Sequence, residues 1–265
     1  MSGGPGRTRV HLATLTNTLN RRVKDIFPAF DSNSGSTSWG DSYNTLKPDQ
    51  LYRTLTDNYR SNNHVEHTIV KSAWFCKQEK SVGHEFIIVE VEDTLLPNGM
   101  LTNYLVLDRN KGAPQHSSLG STSKLVPKFL RSAARDAFRV SHDGNLERLV
   151  KDCQLDSYEY LEQIKFERDR PLMLYELATL THRISDLHPR YTFMDANCFW
   201  FAGLIWDCMI KMRPDANHVI AKPNKRGKFG LIRYKKNVIQ VKRMCDRVQE
   251  DVSRVTERLS NPVSA

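Results

Sequence analysis

Three short runs of β-branched and aromatic residues between positions 68 and 107 constrain the fold of this chain more than any other feature. The first run covers positions 68–75, the second covers 85–91, and the third covers 101–107 after a Pro97-Asn98-Gly99 turn. Runs of this composition, separated by turn residues, are typical of strands joined as hairpins. The pattern therefore predicts a small antiparallel meander.

Apolar residues spaced three and four apart predict helices on both sides of the meander. The predicted helices cover positions 10–27, 48–59, 171–187, 198–212 and 238–259, and a loop covers 31–44. A further helical stripe follows Lys124 and comprises Phe129, Leu130, Ala133, Ala134, Ala137 and Phe138. Helices, then strands, then helices indicate an α+β fold in which the sheet packs against helices.

The same pattern divides the chain of 265 residues into three regions. Residues 1–65 form an N-terminal region of helix and loop. Residues 66–213 form the α+β core, with a helical insertion at 121–187. Residues 214–265 form a basic segment followed by the C-terminal helix.

The C-terminal helix carries a heptad-like apolar stripe, which comprises Val238, Val241, Cys245, Val248, Val252, Val255 and Leu259. Such a stripe either forms a coiled coil with a partner at 238–259 or packs back on the core of the same chain. Three heptads with a seam of valines make a weak coiled coil, which favours packing on the core.

Asn197-Cys198, followed by the apolar run 199–206, points to thiol chemistry. Asn is among the best N-caps, so Cys198 is expected at the first position of a helix. There the helix dipole and the free N–H groups favour a thiolate, and the same N–H groups can stabilise an oxyanion. The alternative is that Cys198 is a small buried apolar residue, since free cysteines are among the most buried residues.

A nucleophilic cysteine needs a base and a group that orients the base. His84 opens the most apolar of the predicted strands, and Asp108 follows the apolar run of the next one. Asp108 can accept the second imidazole N–H of His84, as the third member of a triad does. The sequence therefore predicts a Cys198–His84–Asp108 triad, provided that the hairpin register brings His84 and Asp108 together.

This order of motifs resembles the circularly permuted papain-like fold of lecithin–retinol acyltransferase and of permuted relatives of the NlpC peptidases. The matching segments are 84–89, 104–108 and Asn197-Cys198-Phe199-Trp200-Phe201, with Asp108 where the acyltransferases carry a second histidine. The resemblance implies a permuted papain-like core with extra helices. It also implies a thiol hydrolase or acyltransferase that forms a thioester on Cys198. The substrate is left open between a peptide, an isopeptide-linked modifier and a lipid ester.

The net charge of +9 is concentrated near the C-terminus. Nine basic residues and no acidic one lie between Asp215 and Asp246: Lys222, Lys225, Arg226, Lys228, Arg233, Lys235, Lys236, Lys242 and Arg243. This basic segment is predicted either to bind an acidic protein, anionic lipid or nucleic acid, or to be a solvated loop. Binding would use Lys225, Arg226, Lys228 and Arg233, with Asn197 assigned to the thiol site.

The basic segment supports a second hypothesis, in which the chain is a non-catalytic interaction module and Cys198 is buried. Tyr234 and Phe229 lie among the basic residues and would suit stacking on single-stranded nucleic acid. The two hypotheses make opposite claims about one atom. An enzyme exposes the Cys198 thiol at a cleft within reach of His84, and an interaction module buries it with no imidazole nearby.

Five widely spaced cysteines, at positions 76, 153, 198, 208 and 245, indicate reduced thiols in the cytoplasm or nucleus rather than a disulfide framework. His64 and His67 are three apart, a spacing that could bind a metal on a helix, but no cysteine or carboxylate partner follows them. Neither a metal nor another cofactor is therefore expected. No apolar run is long enough to span a bilayer, and the first thirty residues lack the apolar core of a signal peptide.

Overall fold

The computed structural model describes residues 43–56, 65–79, 83–95, 102–112, 132–192, 197–229 and 232–260. These residues form an α+β fold, as the sequence predicts. The helices are α1 (Pro48–Thr56), α2 (Leu146–Asp152), α3 (Leu174–Leu187), α4 (Cys198–Met212) and α5 (Val238–Ser260). A single 3-10 turn covers Val65–His67.

The strands form one antiparallel sheet and a small hairpin. The sheet contains β1 (Tyr43–Leu46), β2 (Thr68–Gln78), β3 (Glu85–Asp93), β4 (Thr102–Lys111), β5 (Ala134–Ser141), β6 (Tyr158–Lys165), β7 (Leu172–Met173) and β8 (Asn217–Ile220). Its order is β1-β5-β4-β3-β2-β6-β8, with β7 paired to β2. The hairpin pairs β9 (Lys228–Phe229) with β10 (Ile232–Arg233). The predicted meander is confirmed, because β2, β3 and β4 are consecutive neighbours in the sheet.

Strand β3 lies at the centre of the sheet and is buried on both faces. Ile87 and Val89 belong to the larger apolar core, which also contains buried residues of α1, α3, α4 and α5. Phe86 and Ile88 point to the opposite face and pack in a smaller core with residues of α2. Successive side chains of a strand alternate between faces, so the part of a strand that is covered on both sides is apolar, as residues 86–89 are.

The helical stripe predicted after Lys124 is wrong where the structure describes it, because residues 134–141 form β5 between β4 and β1. Phe138 and Val140 are buried in the larger core, and Arg139 between them points to the other face. The spacing of the alanines fits a helix, but pairing with two neighbouring strands decides the conformation. Strand β6 also lies within the predicted helical insertion at 121–187, so that stretch is not wholly helical.

The C-terminal helix packs on the core of the same chain. Val241, Val248, Val252 and Val255 of α5 are all buried in the larger core, against α3 and α4. This arrangement matches the favoured alternative for the heptad-like stripe. The coiled-coil seam predicted at 238–259 is thus largely covered from within the chain.

Several predicted features lie outside the described residues: the helix at 10–27, most of the loop at 31–44, and residues 124–131 of the stripe after Lys124. Within the described part of the chain, no helix has the length and hydrophobicity needed to cross a membrane.

Candidate cysteine active site

Cys198 opens helix α4, and Asn197 caps that helix as predicted. The Oδ1 atom of Asn197 accepts a hydrogen bond of 3.1 Å from the backbone N–H of Trp200. Helix α4 then runs across the sheet as a largely apolar helix, interrupted by Asp207 and Lys211, and ends before Pro214. Cys198 is only 6% exposed, and its side chain lies in the wall of a cavity of about 540 Å³. The Cys198 side chain is therefore buried, but it borders a cavity.

His84 immediately precedes β3 and contacts both other members of the predicted triad. Its backbone carbonyl accepts a hydrogen bond of 2.9 Å from the N–H of Gln78, which fixes the start of β3 against the end of β2. The His84 imidazole contacts the Cys198 side chain. Its Nε2 atom lies 3.4 Å from Oδ2 of Asp108. The side chain is only 14% exposed, so these contacts are made largely out of water.

The register of β3 and β4 explains how Asp108 reaches His84. Ile87 is opposite Leu107, so continuing the register places Phe86 opposite Asp108 and His84 diagonally beside it on the same face. Asp108 lies inside β4 rather than at the end of a strand. The hairpin register therefore brings the two side chains together.

Asp108 is buried and has two further partners besides His84, one a hydrogen-bond donor and one an ion-pair partner. The Nδ2 atom of Asn110 donates to Oδ2 at 2.5 Å, and Nη1 of Arg139 lies 2.7 Å from the same oxygen. Arg139 comes from β5, the strand next to β4. A buried carboxylate with these partners remains ionised and holds a fixed orientation.

The protonation states of His84 and Asp108 follow from these contacts. Burial opposes the charged form of His84, but its contacts with Asp108 and Cys198 outweigh burial and raise the pKa of His84 to about 9. Burial acts against ionisation of Asp108 as well, yet His84 and Arg139 keep the pKa of Asp108 below its usual value. An imidazolium between a carboxylate and a thiol favours the thiolate of an attacking cysteine.

Tyr191 is a cavity residue that the sequence does not reveal. Its side chain contacts both the thiol and the backbone of Cys198, and burial followed by the Cys198 contact raises the pKa of its phenol. The N–H of Tyr191 donates to the carbonyl of Ser132 at 3.0 Å, which holds the residue beside the start of β5. A neutral phenol at this point can donate a hydrogen bond to an oxyanion.

The other cysteines differ from Cys198 in their surroundings. Cys153 also lines the cavity, but burial raises the pKa of its thiol to about 12. Cys76 lies fully buried in the smaller core, and burial raises its pKa as well. Cys198 is distinguished from both by its contact with the His84 imidazole.

The candidate binding residues of the basic segment fall into two groups. Lys225 pairs with Glu159 at 2.9 Å, and Arg226, most of which is buried, pairs with Asp207 at 2.9 Å. These two side chains fasten the basic segment to the body of the protein. Lys228 and Arg233 are exposed to solvent.

Tyr234, one of the two aromatic residues predicted to stack on nucleic acid, is tied to the body of the protein. Tyr234 is half-buried, packs against Gly203 of α4, and donates from its hydroxyl to Asp207 at 3.3 Å. The Phe229 side chain and His64 lie outside the described residues. His67 pairs with Glu66. Among the described residues, no cluster of three or more metal-binding side chains occurs.

No family model matches the chain, and neither a curated protein nor a solved structure does.

Proposed function

We propose that this protein is a cysteine-dependent hydrolase or acyltransferase in which Cys198, His84 and Asp108 form a catalytic triad. The observation that carries the proposal is the contact of the His84 imidazole with both the Cys198 side chain and the Asp108 carboxylate at one cavity. The permuted papain-like core remains part of this proposal, supported by the order of these residues along the chain. Five free cysteines without a disulfide suit a reducing compartment, such as the cytoplasm or nucleus.

The proposed reaction has two steps. The Cys198 thiolate attacks the carbonyl carbon of the substrate, and the resulting oxyanion is stabilised by N–H groups at the start of α4 and by the phenol of Tyr191. The His84 imidazolium then gives its proton to the leaving group, and a thioester remains on Cys198. Neutral His84 next takes a proton from water or an amine, which attacks the thioester and regenerates the thiolate.

The test of this proposal is the alkylation rate of each cysteine by iodoacetamide, measured by peptide mass spectrometry between about pH 6 and pH 9. We expect Cys198 to react fastest in the folded protein and to remain reactive at the acid end of the range. His84→Ala should remove this advantage, whereas His67→Ala, a change at a partly exposed histidine, should leave it unchanged. A Cys198 that reacts only after unfolding would contradict the proposal.

One observation supports the alternative function as an interaction module, namely a set of exposed cations without ion pairs among the described residues. Five cations of the basic segment are exposed, and within the described residues no ion pair involves them: Lys228, Arg233, Lys235, Lys242 and Arg243. These cations suit an acidic protein, anionic lipid or nucleic acid as a partner. In the enzyme proposal they form an accessory surface. In the alternative they are the functional site, and the alkylation experiment would show Cys198 to be inert.

A further inference from the structure

The cavity in front of Cys198 is lined by three basic side chains and a single acidic one. The basic groups are His84, Arg139 and Lys111, and the acidic group is Asp108. Asp108 is fully buried and has His84, Asn110 and Arg139 as partners, so its charge is compensated within the wall. Among the described lining residues, no carboxylate is left to receive a cation from a substrate.

Lys111 is the cation of this wall that has no partner in the described part of the chain. It is the last residue of β4, three positions after Asp108, and its side chain is exposed. Two other lysines are neutralised by ion pairs, Lys71 with Glu90 and Lys222 with Glu159. Lys111 instead resembles the lysines of the basic segment that have no ion pair within the described residues, but it lines the cavity. The sequence from position 109 to position 135 contains no aspartate or glutamate, so Lys111 also has no acidic neighbour along the chain.

The uncharged lining adds polar groups without adding negative charge. Gln78, Asn110, Gln154 and Tyr191 supply amides and a phenol, while Leu155 and Phe199 supply apolar surface. A cavity with this balance accepts a polar chain of modest size and stabilises a negative charge near its rim. A cationic substrate group would meet the unpaired Lys111 there, with no free carboxylate among the described lining residues to balance the repulsion.

We propose that the substrate carries an anionic group, a carboxylate or a phosphate, which Lys111 binds beside the carbonyl attacked by Cys198. The inference rests on the proposed function, because it concerns the same cavity. Lys111 acts here as a specificity residue that touches the substrate away from the reacting atoms. Lysine is a strongly hydrated point charge, which suits either kind of anion.

The test uses three small methanethiosulfonate reagents that differ in charge: sulfonatoethyl, trimethylammonioethyl and neutral methyl. In each case the Cys198 thiolate displaces methanesulfinate and forms a mixed disulfide, so the chemistry is constant and only the charge varies. The rate at Cys198 is divided by the rate of the same reagent on the unfolded protein. The charge ratio is the normalised rate of the anionic reagent divided by that of the cationic reagent. We expect this ratio to be about ten or more and to fall as salt is added.

Lys111→Met should lower this ratio several-fold, and Lys111→Glu should bring it below one. Lys165→Met is the matched control, because Lys165 is an exposed lysine at the end of β6 that does not line the cavity. A ratio that Lys111→Met leaves unchanged would overturn the inference. The proposed function would survive that result, since it fails only if Cys198 is unreactive toward the neutral reagent as well.

A second arm identifies the anion. Inorganic phosphate and succinate are compared as protectors of Cys198 against the neutral reagent, each against sodium chloride at equal ionic strength. Stronger protection by phosphate assigns a phosphoryl group, and stronger protection by succinate assigns a carboxylate. The inference would be overturned if neither phosphate nor succinate protected Cys198 better than chloride does. It would also be overturned if Lys111→Met were protected as well as wild type.

Discussion

The buried imidazole of His84 links the site to the stability of the fold. A pKa of about 9 in the folded protein, against an ordinary value of about 6.5, means that folding favours the protonated form. The stabilisation from this shift is fully present below about pH 6.5 and is lost as the pH rises through about 9. Asp108 titrates far below this window, because its pKa is lowered.

Wild type should therefore be more stable than His84→Gln at about pH 6, and this advantage should shrink as the pH rises to about 9.5. The difference in unfolding free energy should decrease by up to about 3 kcal/mol, as a shift of about two pKa units or more implies. Urea unfolding of both proteins across this range measures it. Cys198→Ser should reduce the effect, because the Cys198 contact is one cause of the shift. A constant difference across the range would show that His84 is not charged in the folded protein.

Asp108 carries a second prediction, because its removal affects His84 and Arg139 together. Asp108→Asn leaves the largely buried Arg139 guanidinium without its carboxylate partner, and we expect a loss of about 2–4 kcal/mol in unfolding free energy. Adding Arg139→Met should recover part of this loss. Alkylation of Cys198 should remain slow in the double variant, because nothing then orients His84. Recovery of the alkylation rate together with stability would assign Asp108 a purely structural role.

At the scale of elements, helix α4 and the segment that follows it are fitted closely at Gly203. A Cβ atom added there would lie 2.7 Å from Cε1 of Tyr234, whose hydroxyl is bonded to Asp207. Gly203→Ala should destabilise the protein by about 1–2 kcal/mol, although alanine is the better helix former by about 1 kcal/mol. In a Tyr234→Ala background the same change should become stabilising. Thermal unfolding of wild type, the two single variants and the double variant measures both effects. If Gly203→Ala destabilised the Tyr234→Ala protein as well, the contact between the two residues would be contradicted.

Helices α4 and α5 also meet through two thiols. The Sγ atom of Cys245 lies 3.9 Å from the carbonyl oxygen of Cys208, and the Cys208 thiol contacts the Cys245 thiol. That contact lowers the pKa of Cys245, which is the more exposed of the two. Treatment with diamide should therefore form an intramolecular Cys208–Cys245 disulfide, detected by mass spectrometry of unreduced peptides. Cys245→Ser should abolish this disulfide. Disulfide-linked dimers through Cys245 would instead indicate that α5 does not pack on α4.

How far the sequence predicts an element depends on whether local signals decide its conformation. Helix α4 is predicted to the residue, because Asn197 caps it, the apolar run 199–206 forms its first half and Pro214 follows it. Strand β5 is missed, because its alanines favour a helix and only pairing with β1 and β4 makes it a strand. Strand β8 has four residues at the sheet edge and gives no periodic signal.

The same distinction applies to the site. Cys198, His84 and Asp108 are predictable, since a cap, a strand start and a hairpin are local patterns. Arg139 and Tyr191 are not. Arg139 reaches Asp108 only because β5 pairs with β4, and Tyr191 reaches Cys198 only because it bonds to the carbonyl of Ser132. These long-range contacts depend on the strand that the local pattern misassigns.

At the scale of the whole molecule, the packing of the apolar stripe of α5 decides whether the fold is complete within one chain or needs a partner helix. Val248 is fully buried, whereas Val238, at the start of the same stripe, is 69% exposed. If the stripe packs within the chain, Val248→Ala should cost roughly 2 kcal/mol and Val238→Ala less than about 0.5 kcal/mol. Thermal unfolding of the protein measures both changes.

The melting temperature should also be independent of protein concentration between about 1 and about 100 μM, because a fold stabilised by association gains stability by mass action. A coiled coil at 238–259 would give the opposite result: a melting temperature that rises with concentration and is lowered by Val238→Ala. Analytical ultracentrifugation of wild type and Val248→Ala then distinguishes a destabilised monomer from a dissociated assembly. We expect the monomer, because the valines of α5 already pack on α3 and α4, which leaves no comparable apolar seam on this helix for a partner.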